Sequence, residues 1–355
     1  MILRWILACP SRMVLVVATA ITILAACDRK QSDVMFKGTA ASTLNPQLSG
    51  GEASRPLYVA EFSPSKIVLD DTTVREEFWE KIRFARFWAT AQGRLKGAML
   101  TRTTFLGDMQ RDGQSGILVL VHGYNTDVPR AIAWARDLPK LINSHTATLL
   151  FRWPSTGDLF DFKSDKWRAF MSGSALAILL SHLQTLPTGS KPPIDIIAFS
   201  LGNLVLARAI VSTVGEPVRR IILLAPAVDE TLVREVAMWG QQPTEGTTVY
   251  VSGRDSALWL ARRLGEHPPG PTTLSLGKWD IVDVSAVCVP SLSERFHFLS
   301  KVEKSHYYLS CPTVAHDAEL ILSGLDPVSR GLEKTTAGWR LVPRSGELPH
   351  GGADR

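Results

Sequence analysis

The chain has 355 residues, of which 45% are hydrophobic and 21% charged, with a formal net charge of +5. That suits a globular protein with a substantial core, in one large domain or two small ones. The basic residues are scattered without a dominant run, which gives no nucleic-acid signal and leaves a mild attraction to anionic lipid, so no nucleic-acid partner is expected.

Residues 1–26 read as a leader rather than as part of the fold. Arg4 and Arg12 flank apolar segments, and Met13 to Ala26 is almost entirely apolar, too short after Arg12 for a spanning helix. Leu24-Ala25-Ala26-Cys27 resembles a bacterial lipobox, where cleavage leaves the cysteine as the acylated first residue. The alternatives are an uncleaved anchor or an ordinary signal peptide. Asp28 follows, a residue associated in enterobacterial lipoproteins with retention at the inner membrane. The expected address is therefore the bacterial cell envelope, lipid-anchored through Cys27 on the periplasmic face of the inner membrane. Residues 27–55 are polar and small and read as a tether. Cys9 leaves with the leader. Cys288 and Cys311 stand either as a disulfide in an oxidising compartment or as two buried thiols, because spacing says nothing of Cα proximity.

The domain proper is expected over 56–325. Leu57 to Phe62 reads as a first strand, and the aromatic-rich stretch from Thr73 to Gln92 as a helix. Gly116 to Val121 is a continuous apolar strand of the fully buried kind. His122-Gly123-Tyr124-Asn125 follows, and Asp127 and Pro129 open a helix over 130–143. Ala147 to Trp153 is the next strand, ended by Pro154 and Gly157, and a helix covers 166–186. A strand over 194–199 comes next, then one over 220–225, a short helix over 231–239, a strand over 247–252 and a helix over 257–264. The last strand is expected at 279–284, and a helix at 312–322 has Pro in its first turn and Gly324 past its end. The stretch 326–355 is rich in Gly, Pro and charge and reads as a disordered tail. Alternation of strand and helix implies a mostly parallel sheet wound on both faces, an α/β class. About twenty residues separate the strands ending at Ala225 and starting at Thr247, which leaves room for a minimal cap only.

The most informative stretch is Pro193 to Leu206. An apolar strand stops at Ser200, and Leu201, Leu204 and Val205 then recur at helical spacing. A strand that becomes a helix at one serine must turn sharply, and a sharp turn needs small residues two places on either side. Ala198 and Gly202 supply them in a nucleophile-elbow pattern, with Ala for the usual first Gly. The turn exposes the Ser200 hydroxyl and leaves the Leu201 amide free to donate to an oxyanion. The plainer reading is a serine capping an ordinary helix.

Serine needs a base, and the base needs an acid to hold its tautomer. Beyond such an elbow the acid and then the histidine follow in chain order. The strand-end acids are Asp229 and Asp255, and Asp255 holds the commoner position, after the second strand beyond the elbow. Either could instead be a helix N-cap. Among the histidines after the last strand, His316 lies inside a helix pattern and His297 in a packed Phe-His-Phe alternation. His306 occupies a loop before the last helix and is favoured. No His, Cys or carboxylate pair has metal-ligand spacing, no P-loop is present, and no cofactor is expected.

Six motifs then occur in one order. They are His122-Gly123-Tyr124-Asn125, Phe151-Arg152-Trp153-Pro154-Ser155, Ala198-Phe199-Ser200-Leu201-Gly202-Asn203, Leu224-Ala225-Pro226, Val251-Ser252 with Asp255-Ser256-Ala257-Leu258, and Ser305-His306-Tyr307. Together they resemble a bacterial family of α/β hydrolases, esterase/lipase-superfamily proteins of largely unknown function, over residues 55 to 325. The resemblance implies an α/β-hydrolase fold and a Ser-Asp-His triad, carried here onto Ser200, Asp255 and His306. The loop after the first buried strand would supply the second oxyanion amide, Tyr124, beside that of Leu201. Family members often have Tyr before an Asp after the Trp-Pro-Ser loop, whereas here Phe162 precedes Asp165.

The expected activity is that of a membrane-tethered serine hydrolase cleaving an ester or thioester of a small or lipid-like substrate through an acyl-enzyme. The alternative is a non-catalytic envelope binding module on the same fold.

Overall fold

A computed structural model describes residues 55–63, 74–90, 94–142, 144, 146–156, 161–186, 191–212, 217–263, 265–272, 279–287 and 311–343. The leader, Cys27, nearly all of the tether, Cys288, His297, His306 and residues 344–355 lie outside them.

The described residues form an 11-stranded sheet. The strands are β1 (Leu57–Phe62), β2 (Ile82–Ala89), β3 (Leu95–Leu100), β4 (Ile117–Val121), β5 (Ala147–Arg152), β6 (Ile194–Phe199), β7 (Arg220–Leu224), β8 (Gly246–Val251), β9 (Trp279–Asp283), β10 (Glu333–Lys334) and β11 (Trp339–Arg340). The helices among them are α1 (Val74–Glu80), α2 (Arg102–Asp112), α3 (Val128–Leu141), α4 (Phe162–Gln184), α5 (Gly202–Ser212), α6 (Glu230–Trp239), α7 (Ser256–Arg263) and α8 (Pro312–Leu322). The spatial order is β10-β11-β9-β8-β7-β6-β4-β5-β1-β2-β3. Every pairing from β11 to β1 is parallel, β2 and β10 run against the rest, and β3, antiparallel to β2, runs with them again.

The apolar runs explain the two-sided winding. In β4, Ile117, Val119 and Val121 join one core and Leu118 and Leu120 the other, as the period of two requires. Helices α4, α5 and α6 cover the first face, and α3, α7 and α8 the second. A strand buried on both sides has no polar face to present, so β4 reads as an unbroken apolar run. Between β7 and β8 the chain forms only α6, in keeping with a minimal cap.

Topology locates the site. From β4 the chain moves to β5 on one side and then crosses back to β6 on the other. The winding reverses there, and in open α/β sheets ligands bind at the carboxyl ends of the strands beside such a reversal. Register aligns those ends: Val121 pairs with Ala198, Phe199 with Leu224, and Leu224 with Tyr250.

Three expectations are corrected. The stretch 73–92 is not one helix: α1 stops at Glu80 and 82–89 is strand β2. Its aromatics at 84, 87 and 88 imitate helical spacing, but pairing to β1 and β3 on both sides outweighs that preference. The strand at 279–283 is not the last. The stretch 326–343 is folded rather than disordered: it carries β10 and β11, buries Leu332 and Leu341, and lays β11 parallel to β9.

Candidate active site

Ser200 follows the last residue of β6 and precedes α5 by two residues. Its φ is +51°, in the left-handed region that L residues other than Asn and Asp rarely occupy. The conformation is held from several sides. The Ser200 amide donates to the Leu224 carbonyl at 2.9 Å, and the Ser200 carbonyl accepts from the Ala227 amide at 3.2 Å and the Asn203 amide at 3.1 Å. The Asn203 side chain donates to the Ser200 carbonyl at 2.7 Å and to the Leu224 carbonyl at 3.2 Å. Strain of this sort survives only where the surroundings over-determine it, and it concentrates at functional sites. Ser200 is half-buried, Leu201 is fully buried, and the Leu201 amide has no acceptor among the described residues.

The loop after β4 lies against this turn. A Cβ on Gly123 would stand 3.0 Å from the Ser200 Cβ and 3.1 Å from the Phe199 carbonyl, so only glycine allows the approach. Asn125 has φ +54°, and the Thr126 hydroxyl donates to the Tyr124 carbonyl at 3.1 Å. His122 is buried and stacks on Trp153, with ring centroids 5.1 Å apart. Its Nδ1 lies 2.9 Å from the Gly123 carbonyl and its Nε2 3.1 Å from the Trp153 carbonyl. His122 is thus enclosed by main chain and is not placed as a base.

The loop after β5 is tied to the same place. The Trp153 indole donates to the His122 carbonyl at 2.7 Å. The Ser155 hydroxyl donates to Asp165 Oδ2 at 2.7 Å and accepts the Thr126 amide at 3.3 Å. Asp165, buried in the first turn of α4, also accepts the Thr156 amide at 3.0 Å and pairs with buried Arg168 at 2.9 Å. Burial is the largest influence on the Asp165 carboxyl and raises its pKa, against the pull of Ser155, Thr156 and Arg168.

Both candidate acids sit at strand ends and both cap helices. Asp255 follows β8, is 3% exposed, and accepts the Leu258 amide at 2.9 Å. Its loop is pinned by the Gly253 amide on Ser285 Oγ at 2.8 Å and the Arg254 amide on Ser252 Oγ at 3.1 Å. Asp229 is half-buried before α6 and accepts the Thr231 amide at 2.9 Å. The candidate bases His306 and His297 lie outside the described residues. His316 is within α8, with Nδ1 3.3 Å from Glu319, and lines a surface cavity with Thr313, Asp317 and Arg330. The buried Cys311 Sγ donates to the Val287 carbonyl at 3.3 Å, and its suggested partner Cys288 is outside the described residues. No group of metal-binding side chains occurs among the described residues, and no described helix is long and apolar enough to cross a membrane.

In the sequence Asn203 and Ser155 stand out only as motif members, and Asp165 only as the acid beside a departure from the family pattern. A polar residue within the apolar opening of α5, and an acid that the fold must bury, were the signals available.

Residues 98–268 match the model of a family described as alpha/beta hydrolase of unknown function (DUF900). An uncharacterized protein of Nostoc sp. (strain PCC 7120) is 26% identical over 141 residues, covering 32% of this chain and 36% of the relative, so the chain spans about a third of that relative's length. Among solved structures, the inhibited esterase B from Lactobacillus rhamnosis superposes with a TM-score of 0.32 at 11% identity, over 69% of this chain and 79% of that one. A likeness that weak says nothing of activity.

Proposed function

From the premise that this chain is a member of the α/β-hydrolase family, we propose that it is a serine hydrolase of the carboxylic-ester type, acting on an ester or thioester through an acyl-enzyme. The observation that carries the reading is Ser200 at φ +51° on a strand-to-helix turn, at the carboxyl end of β6 beside the reversal in the winding. A backbone strained to raise one hydroxyl beside a main-chain amide has a use in acyl transfer that a capping serine lacks.

In this reading Ser200 Oγ attacks the carbonyl carbon while His306 takes its proton. The carbonyl oxygen becomes an oxyanion held by the amides of Leu201 and Tyr124. The oxyanion collapses, the bond to the leaving group breaks, and His306 returns the proton to that group. Water then repeats the sequence on the acyl-enzyme and releases the acid. Asp255 orients His306 and supports the imidazolium that forms in each half. No cofactor enters these steps.

A fluorophosphonate probe tests the assignment directly. The folded protein should be labelled on Ser200, and Ser200→Ala should lose the label and at least ~10³-fold of short-chain ester turnover. A folded protein that takes no label and turns over no ester would favour a non-catalytic binding module.

The address is a second part of the proposal. A lipid on Cys27 would tether the domain to the periplasmic face of the inner membrane, within reach of lipid-like esters. Cys27→Ser should abolish acyl labelling and leave the precursor uncleaved by the lipoprotein peptidase, and unchanged acyl labelling of that variant would remove the lipobox from the account.

A further inference from the structure

The loop 122–126 carries the amide assigned to the oxyanion, and it is gripped at both ends by the loop after β5. At one end the Trp153 indole holds the His122 carbonyl at 2.7 Å. At the other the Ser155 hydroxyl accepts the Thr126 amide at 3.3 Å. Tyr124 lies between these two points. A hydroxyl has one proton, so the direction in which Ser155 gives it away decides what its oxygen is free to accept. Asp165 Oδ2 takes that proton at 2.7 Å, which turns the Ser155 lone pairs toward Thr126. Asp165 is itself fixed by the Thr156 amide at 3.0 Å and by Arg168 at 2.9 Å, and Arg168 reaches on to Asp161 at 3.1 Å. Asp165, Arg168 and Ser155 are all buried.

A buried carboxylate and guanidinium are expensive to keep, and an apolar pair of the same volume often serves stability as well or better. What this pair does that an apolar one would not is point a hydroxyl. We infer that Asp165 and Ser155 are positioning residues for the oxyanion loop, with Asp165 acting through Ser155 to hold the Thr126 amide and so the Tyr124 amide beside Ser200. The inference rests on the hydrolase reading for its kinetic consequence, but its structural half stands apart from it.

The consequence is specific. An amide that meets charge only in the transition state affects turnover and not substrate binding. Deleting one oxyanion donor outright costs about 10²–10³-fold in kcat, so loosening one should cost on the order of 10–100-fold. Ser155→Ala removes a single hydroxyl and leaves the Asp165–Arg168 pair intact, so it is the variant to rely on if Asp165→Asn folds poorly. With a short-chain aryl ester, Ser155→Ala should lower kcat by that amount and leave KM within about threefold. Asp165→Asn should resemble it, and the double variant should be no worse than the worse single, as expected for two residues acting in series. Hydrogen exchange of the peptide covering residues 122–127 should rise in both variants, while the elbow at 198–205 stays protected.

Unchanged kcat and unchanged exchange in Ser155→Ala would overturn the inference. So would losses in the two single variants that multiply in the double. If the wild-type protein hydrolyses no ester, the hydrolase reading fails, and the exchange measurement still decides whether Asp165 and Ser155 hold the loop.

Discussion

Gly202 lies so close to the main chain of His122 that a Cβ there would stand 2.4 Å from the His122 carbonyl oxygen and 2.8 Å from that of Val121. The first residue of α5 and the loop after β4 therefore touch backbone to backbone. Gly202→Ala must push these segments apart, because both neighbours are main-chain atoms and not side chains that could swing away. The expected cost is about 1–3 kcal/mol of stability from overpacking. Turnover should fall by about 10²-fold, the order that follows from misplacing a reacting group by 1 Å. Denaturant midpoints and ester turnover measured on the same preparation check both, and wild-type values for the pair would mean that the elbow does not bear on this loop.

The strained serine makes its own forecast. An L residue at φ +51° costs about 1–2 kcal/mol against glycine, and glycine gives back roughly 0.5–1 kcal/mol in unfolded-chain entropy. Ser200→Gly should thus be more stable than Ser200→Ala by about 0.5–1 kcal/mol, with both inactive. An alanine variant more stable than the glycine one would remove the left-handed turn from the argument.

The two acids separate by experiment. Both accept a helix amide on Oδ1, an acceptor that asparagine keeps, so an Asp→Asn change costs either of them little stability. Only the triad acid also controls the tautomer of the base, where an Asp→Asn change costs on the order of 10⁴-fold. Asp255→Asn should be nearly inactive with a near-native melting temperature, and Asp229→Asn should keep most of its turnover. The reverse result would move the acid to the end of β7.

Much of this was legible because the relevant signals are local. The elbow declares itself in a few residues: an apolar run that fills β6, one serine, and small residues where the turn is tight. Pro312 set the start of α8 and Asp127 that of α3, where its side chain accepts the Arg130 amide at 3.0 Å. What was not legible depends on distant partners. Strand β2 carries aromatics at helical spacing and becomes a strand only because β1 and β3 flank it. Helix α2 buries just Phe105, Asp108 and Met109, too little for an amphipathic signal. The grip of Ser155 on Thr126 joins residues 29 apart in sequence, and no spacing rule foretells it.

Another buried ionic cluster gives a prediction in pH. Tyr250 donates to Asp317, which pairs with Arg330 at 3.3 Å. Burial, the largest influence, holds the Asp317 carboxyl above its usual range although Arg330 and Tyr250 pull it down. The native state therefore keeps this proton more tightly than the unfolded chain, whose Asp titrates at about 3.9. Stability from the group falls as pH rises through that window and is lowest at neutral pH. The stability of wild type relative to Asp317→Asn should rise as the pH is lowered from 7 to 4. Burial and then the charge of Asp317 push the Tyr250 hydroxyl well above its ordinary value, so a second loss follows above about pH 10, where an unfolded tyrosine ionises and Tyr250 does not. Tyr250→Phe should lack that alkaline loss. Parallel pH profiles for wild type and both variants would contradict the assignment.

The hairpin of β10 and β11 has a consequence for solubility. Strand β11 pairs along β9, with Trp339 opposite Val282 and Arg340 opposite Asp283, and the Leu341 amide donates to the Asp283 carbonyl at 3.0 Å. Without these residues β9 would present a row of unpaired amides and carbonyls, and an open sheet margin of that kind recruits strands from other molecules. A chain cut after Leu325 would also lose Arg330, the partner of buried Asp317. Light scattering should then show concentration-dependent aggregation of the shortened chain under conditions that keep the full one monodisperse. On this account the short hairpin of β10 and β11 guards the margin of β9 against self-association.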